Sequence, residues 1–222
     1  MDFEPIDLRY LRFCLINALE SLDQLLKECE LLHGHMCAGQ LLGARMALRG
    51  CRLIGINDPR GEDQKKLIVW VEIDRCMADA VSAVAGVRLG KRSLKYVDYG
   101  KVAATFFNTK TKEAVRIVAL EDSRSMADER YPEISDRRER QFRAYFEAPD
   151  EELFKTERVE VVLNDFDLPG SPRTRVICSS CAEGINDGRE IITSRGSVLC
   201  RACSKGSYYA ISNRQPREKE SI

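Results

Sequence analysis

Nine cysteines and two histidines hold most of the chemistry that this 222-residue sequence offers, and they are not spread evenly. Four of the cysteines form two Cys-x-x-Cys knuckles, Cys178/Cys181 and Cys200/Cys203, with eighteen residues between them. Such a pair supplies four thiolates, the tetrahedral set that Zn²⁺ prefers, and leaves no open coordination position. A segment this short buries too little apolar surface to fold alone. Metal binding supplies the missing stability, about 10–16 kcal/mol in zinc-finger peptides. The expectation is one structural zinc ion. Redox dithiols or an iron–sulfur cluster would use the same ligand type, but a thioredoxin-like motif occurs once, after a strand in a βαβ unit.

The two histidines flank a single glycine, and a cysteine follows: His33-Gly34-His35-Met36-Cys37-Ala38-Gly39. Three borderline-to-soft ligands within five residues form a marked concentration in a chain with so little histidine. The cluster falls where one helical pattern ends and the next begins, so Cys37 sits near a helix N-terminus, where the dipole favours thiolate. A metal site, an activated cysteine or an anion pocket could each be built from these parts. The bland alternative is a helix-to-helix turn with a satisfied histidine and a buried thiol. Cys76, at the end of a predicted strand, could complete a metal set with His35 and Cys37. Cys37 could instead be a nucleophile with His33 or His35 as its base. Cys14, Cys29 and Cys51 lie within helical patterns and read as core residues. Asp79 is either a first-turn helix residue or a hydrogen-bond partner. The glycine-flanked cations Lys91, Arg92 and Lys101 could cradle an anion, although such turns are more often solvated.

The elements that must position these residues follow from periodicity. Leu8, Leu11, Leu15, Leu19, Leu22, Leu26 and Cys29 form one apolar stripe, predicting a long helix that ends near Leu32. A second helix runs from about Ala38 to Gly50. Lys66–Ile73 reads as a buried strand and Met77–Val87 as a short helix. Gly90–Tyr99 reads as a basic loop. Val102–Phe107 and Ala114–Leu120 read as strands joined at Asn108–Lys112. A helix is expected around Asp136–Phe146 and a strand at Val159–Leu163. Ile185–Ser194 and Gly196–Val198 fit a hairpin turning at Arg195-Gly196, the pattern of a treble-clef or ribbon finger. The fold class expected is α+β: N-terminal helices on a mostly antiparallel sheet, plus this finger. The division expected is a core domain over 1–165, a linker over 166–172, the finger over 173–210 and a disordered tail over 211–222.

Composition narrows the function classes. Lys+Arg and Asp+Glu both number 35, so overall charge names no partner. From Gly170 onward nine basic residues face five acidic ones, a mild excess of +4 that gives thin support to nucleic-acid binding. No apolar run approaches the roughly 20 residues of a membrane span, and the start has no signal-peptide pattern. A cytoplasmic location is expected.

Three blocks of residues resemble a known family, the proteins similar to the E-type accessory subunit of formylmethanofuran dehydrogenase. The first is His33–Gly43 (HGHMCAGQLLG), matching a His-Gly-His-x-Cys-x-Gly signature. The second is Cys76–Arg92, with Cys, Asp-Ala and a Gly-x-x-x-Gly-Lys-Arg segment; the third is Asp98–Phe106 (DYGKVAATF). The tail finger looks like the auxiliary zinc finger of some members. Many members carry proline where this chain has Ala38, glutamine at Ser82, and a further cysteine and threonine at Val87 and Arg88. The resemblance implies an α+β core, a homodimer, a second transition metal in the core, and a link to molybdenum or tungsten enzymes of formylmethanofuran or formate chemistry. It does not imply that this chain is the catalyst. Three functions follow, in order: a metal-binding accessory or redox protein, a cysteine-dependent enzyme, and a nucleic-acid- or protein-binding module working through the finger.

Overall fold

The structure, a computed structural model, describes residues 22–211. They fall into two compact units divided between Leu163 and Asn164. Leu8–Leu19 of the expected first helix, Cys14 and residues 212–222 of the expected tail lie outside the described residues.

In the first unit, helix α1 (22–33) turns Leu25, Leu26 and Cys29 into the core at three- and four-residue spacing. It stops where Gly34 takes a φ of +93°, a conformation in which a side chain is strained. Three residues later α2 (Ala38–Leu53) begins. It buries Leu41, Leu42, Ala44, Met46, Ala47 and Cys51 and is the central helix of the unit. Strand β1 (Leu67–Val71) then leads into α3 (Cys76–Ala85), which ends at Gly86 with φ +65°. The chain returns as β2 (Leu94–Tyr96), parallel to β1, in register Val69 with Leu94. Strands β3 (Ala103–Asn108) and β4 (Ala114–Ala119) form an antiparallel hairpin beside β1. Helices α4 (Asp122–Arg130), α5 (Arg137–Glu147) and α6 (Asp150–Leu153) precede the last strand, β5 (Phe154–Arg158). The sheet order is β2-β1-β3-β4-β5, parallel only between β1 and β2. This is the expected α+β architecture with a mostly antiparallel sheet.

Strand alternation makes the core. Leu67, Val69 and Val71 share one face with Ala104, Phe106, Val115 and Ile117, and this face joins the buried stripes of α1, α2 and α3 in one cluster. Glu72, just past β1, is buried but satisfied: Arg116 donates Nε and Nη2 to its two carboxylate oxygens at 2.7 Å each.

Three expectations need correction. The basic loop over Gly90–Tyr99 contains β2, a strand too short to show a period. The last strand of the sheet is Phe154–Arg158, not Val159–Leu163, where Val162 is fully exposed. Helix α4 has no counterpart among the expected elements, because it is polar nearly all round and buries only Ser123 and Ala127.

The second unit is built on short pairs: β6 (Arg175–Ile177) with β7 (Gly184–Asn186), and β8 (Ile191–Ile192) with β9 (Val198–Leu199). Helix α7 (Arg201–Lys205) starts on the second knuckle. The turn expected at Arg195-Gly196 is present, with Gly196 at φ +79° donating its N–H to the Thr193 carbonyl at 2.9 Å. Its strands are shorter than expected.

Candidate metal centre

The end of α1, a three-residue turn and the start of α2 place the histidine–cysteine motif on one surface. Ligand atoms of His33, His35 and Cys37 all lie within 4.8 Å of one another. The two imidazole centroids are 4.7 Å apart with planes tilted 42°. Asp79, from the first turns of α3, lies with Oδ2 2.8 Å from His33 Nδ1. With Nδ1–H donated to that carboxylate, the Nε2 lone pair is the one free to face a ligand, the usual support for a metal-bound histidine. Of the two roles open to Asp79, the hydrogen-bond role is realised.

Cys37 is the N-cap of α2, extended at φ −148° and ψ 163°, and Cys76 is the first residue of α3. The Cys76 thiol is pushed above its ordinary range, first by burial, then by its hydrogen bond to Cys37 and that group's negative charge. Two thiols that each disfavour the other's ionisation are a pair that a cation would relieve. Gly39 makes the approach possible. A Cβ there would lie 3.4 Å from Cys76 Cβ and 3.7 Å from Cys37 Sγ. Cys29 and Cys51 behave differently: burial pushes them up to about 11 and about 12, as inert core thiols.

Cys178, Cys181, Cys200 and Cys203 form the second cluster, again with ligand atoms within 4.8 Å of one another, a set that could hold a metal ion. Cys178 Sγ accepts the Cys200 N–H at 3.3 Å, and Cys200 Sγ accepts the Cys203 N–H at 3.3 Å. N–H groups of Cys181 and Cys200 hold the Cys178 thiol down at about 6. Against a lowering hydrogen bond from Glu183, burial and its neighbouring thiols push Cys181 up to about 12. Four crowded sulfurs therefore cannot all ionise without a cation among them.

Three cavities meet at Cys76. One of about 530 Å³ is lined by His35, Cys37 and, from α5, Arg138, Glu139 and Phe142. One of about 680 Å³ is lined by His33, Asp74, Asp79, Val71, Leu94 and Tyr96. A third, of about 300 Å³, is lined by Arg75, Arg124 and Arg137. The residues of α4 and α5 carry no signal in the sequence, since charged surface helices are common. The loop cations are placed apart. Lys91 lines a further cavity with Glu28 and Arg60, Arg92 adopts φ +60°, and Lys101 Nζ lies 5.9 Å from the Tyr99 ring centroid.

Three departures from the family pattern form one bonded unit. Ser82 Oγ donates to the Val87 carbonyl at 2.7 Å, and Arg88 Nη1 donates to Ser82 Oγ at 2.7 Å and to the Val87 carbonyl at 2.9 Å.

Comparison with known proteins agrees with this architecture. The family model FmdE, described as molybdenum formylmethanofuran dehydrogenase operon, matches residues 32–155. A probable S-adenosyl-L-methionine-binding protein of Archaeoglobus fulgidus is 29% identical over 221 residues, covering 89% of this chain and 57% of that relative. The chain thus spans little more than half the relative's length. The crystal structure of an FmdE-like protein of tungsten formylmethanofuran dehydrogenase from Syntrophus aciditrophicus superposes with a TM-score of 0.56 at 21% identity, covering 85% of this chain and 95% of the other. At that identity the likeness establishes the fold. Among the described residues no helix is long and apolar enough to cross a membrane.

Proposed function

This chain belongs to the FmdE family, and from that premise we propose that its first unit holds a transition-metal ion on His33, His35 and Cys37, with Cys76 beside them. In this reading it is a homodimeric metal-binding accessory or redox protein serving molybdenum or tungsten enzymes of formylmethanofuran-type chemistry. The second unit holds one structural zinc ion on Cys178, Cys181, Cys200 and Cys203. The observation that carries the reading is the convergence of three ligand atoms within 4.8 Å, with His33 oriented by Asp79. Mixed imidazole and thiolate donors suit zinc, copper and nickel. Such an ion supplies Lewis-acid chemistry or, where redox-active, electron transfer. The residues themselves orient the ligands and keep one side open, since cavities flank the core cluster. The four-cysteine set, by contrast, is coordinatively closed.

Elemental analysis of the full chain tests both sites together. The wild type is expected to carry two metal equivalents, with only the core ion surviving Cys178→Ser/Cys181→Ser and only the finger ion surviving Cys37→Ser. Loss of all metal in the finger variant would overturn the core site.

A second reading is favoured by the cavity of about 680 Å³, which is roomy enough for a nucleoside-sized molecule and presents Asp74 and Asp79 beside apolar walls. Those carboxylates suit a cationic ligand, and S-adenosyl-L-methionine, named for the Archaeoglobus relative, is one. Equilibrium dialysis with that compound tests it. No retention at millimolar concentration excludes this reading.

A further inference from the structure

The cavity of about 300 Å³ differs from its two neighbours in charge. Arg75, Arg124 and Arg137 line it, and no aspartate or glutamate does. The other two each contain carboxylates: Glu139 in one, Asp74 and Asp79 in the other. Among the described residues the guanidinium groups of Arg75 and Arg137 have no ion-pair partner, and Arg124 meets only exposed Glu121 at 3.5 Å. Uncommitted guanidinium groups around one concavity repel each other unless an anion lies between them. Two helix N-termini open onto the same space. Ala38 and Gly39 begin α2, Cys76 and Met77 begin α3, and neither N-cap makes a side-chain capping bond. The first N–H groups of each helix therefore lack internal acceptors there, and both dipoles favour negative charge. The walls are Leu42, Met77 and Val102, which keep the local dielectric low and strengthen each attraction.

Ala38, Gly39, Cys76 and Gln141 line this cavity and also the one containing His35 and Cys37, so the two are contiguous. We infer that the arginine-lined cavity is an anion subsite, which takes the carboxylate or phosphate group of a ligand whose other end lies against the histidine–cysteine cluster. This rests on the reading of that cluster as the reactive site. It gives the ligand a class: an oxyanion with a second functional group one cavity away. A neutral or cationic molecule is discriminated against by three cations with no opposing charge.

The thiol of Cys76 serves as a reporter from within the cavity. Iodoacetate and iodoacetamide alkylate a thiol by the same displacement of iodide, and differ in carrying a carboxylate or a neutral amide. Their rates at Cys76 are read by peptide mass spectrometry on the full chain at one pH, so the thiolate fraction cancels in the ratio. The iodoacetate-to-iodoacetamide ratio is expected to exceed that of free cysteine by about tenfold or more, the scale of electrostatic focusing in a charged cleft. Arg75→Ala/Arg137→Ala, which removes two exposed and unpaired side chains, is expected to return it to within about twofold of free cysteine. Inorganic phosphate or acetate added to the wild type is expected to slow iodoacetate selectively, and the more potent of the two identifies the oxyanion. A wild-type ratio equal to that of free cysteine overturns the proposal. So does potassium chloride slowing iodoacetate as much as phosphate and acetate do, which would indicate an adventitious ion only. A chain that keeps the ratio but binds no core metal would sink the metal reading and leave the anion subsite standing.

Discussion

Asp79 shows how one side chain outside a motif fixes the chemistry within it. Its carboxylate holds His33 by Nδ1 and so determines which nitrogen a metal would meet. Asp79→Asn keeps the shape but removes the charge that raises the imidazole's basicity. Core metal affinity is expected to fall about 10- to 100-fold, the usual cost of losing such support. Competition with a chelating dye measures it, and the finger's affinity should stay unchanged; equal loss at both sites would mean a global effect. Gln40 makes the opposite case. It is fully buried on α2, and neither its amide nitrogen nor its oxygen has a hydrogen-bond partner among the described residues. An unsatisfied buried amide costs about 1–3 kcal/mol, so Gln40→Met is expected to raise stability by about 1 kcal/mol. A higher urea midpoint at unchanged slope would confirm this. At this scale the sequence is legible where ligands are consecutive. His33, His35 and Cys37 stand within five residues, and the four finger cysteines keep knuckle spacing. Asp79 lies 46 residues from its partner. Arg75, Arg124 and Arg137 come from three separate elements, and no linear pattern announces such a meeting.

The packing of α2 against α3 is what brings Cys37 and Cys76 together. Gly39 and Gly43, one helical turn apart, let the two backbones approach. A Cβ at Gly43 would lie 2.5 Å from the Met77 carbonyl oxygen and 2.8 Å from Ala80 Cβ, and both neighbours are buried and rigidly held. Gly43→Ala must therefore push the helices apart, at an overpacking cost of about 1–3 kcal/mol. The same displacement separates the thiols, so core metal content should fall even at temperatures where the variant stays folded. Circular dichroism melts with elemental analysis in the cold distinguish these effects, and full metal content in a destabilised chain would break the link. Elements with strong periods are visible in the sequence: α2, β1, α3, β3, β4 and α5. Those that escape it have no period to show. β2 spans three residues, and β5 is an edge strand whose Lys155, Glu157 and Arg158 look like loop while discouraging further pairing.

The two units hold themselves together by different means. The first has a continuous core of more than thirty buried apolar residues running from Leu25 to Phe154. In the second, the described residues include only Cys178 and Ile185 as buried hydrophobics. A segment so poor in apolar burial has no hydrophobic reason to stay folded, and its strands of two and three residues are too short to persist alone. What remains is the convergence of four sulfurs, whose repulsion as thiolates only a cation relieves. Removing two ligands with Cys178→Ser/Cys181→Ser should unfold the second unit and leave the first intact. By hydrogen exchange, amides over 175–205 are expected to exchange within seconds, while those of β1, β3 and β4 keep wild-type protection. A mild chelator acting on the wild-type chain should produce the same map. Retained protection over 175–205 in both experiments would show that the thiols shape the second unit without a metal. Lost protection in β1 would show that the core draws stability from the finger, and the two units would then be one cooperative body.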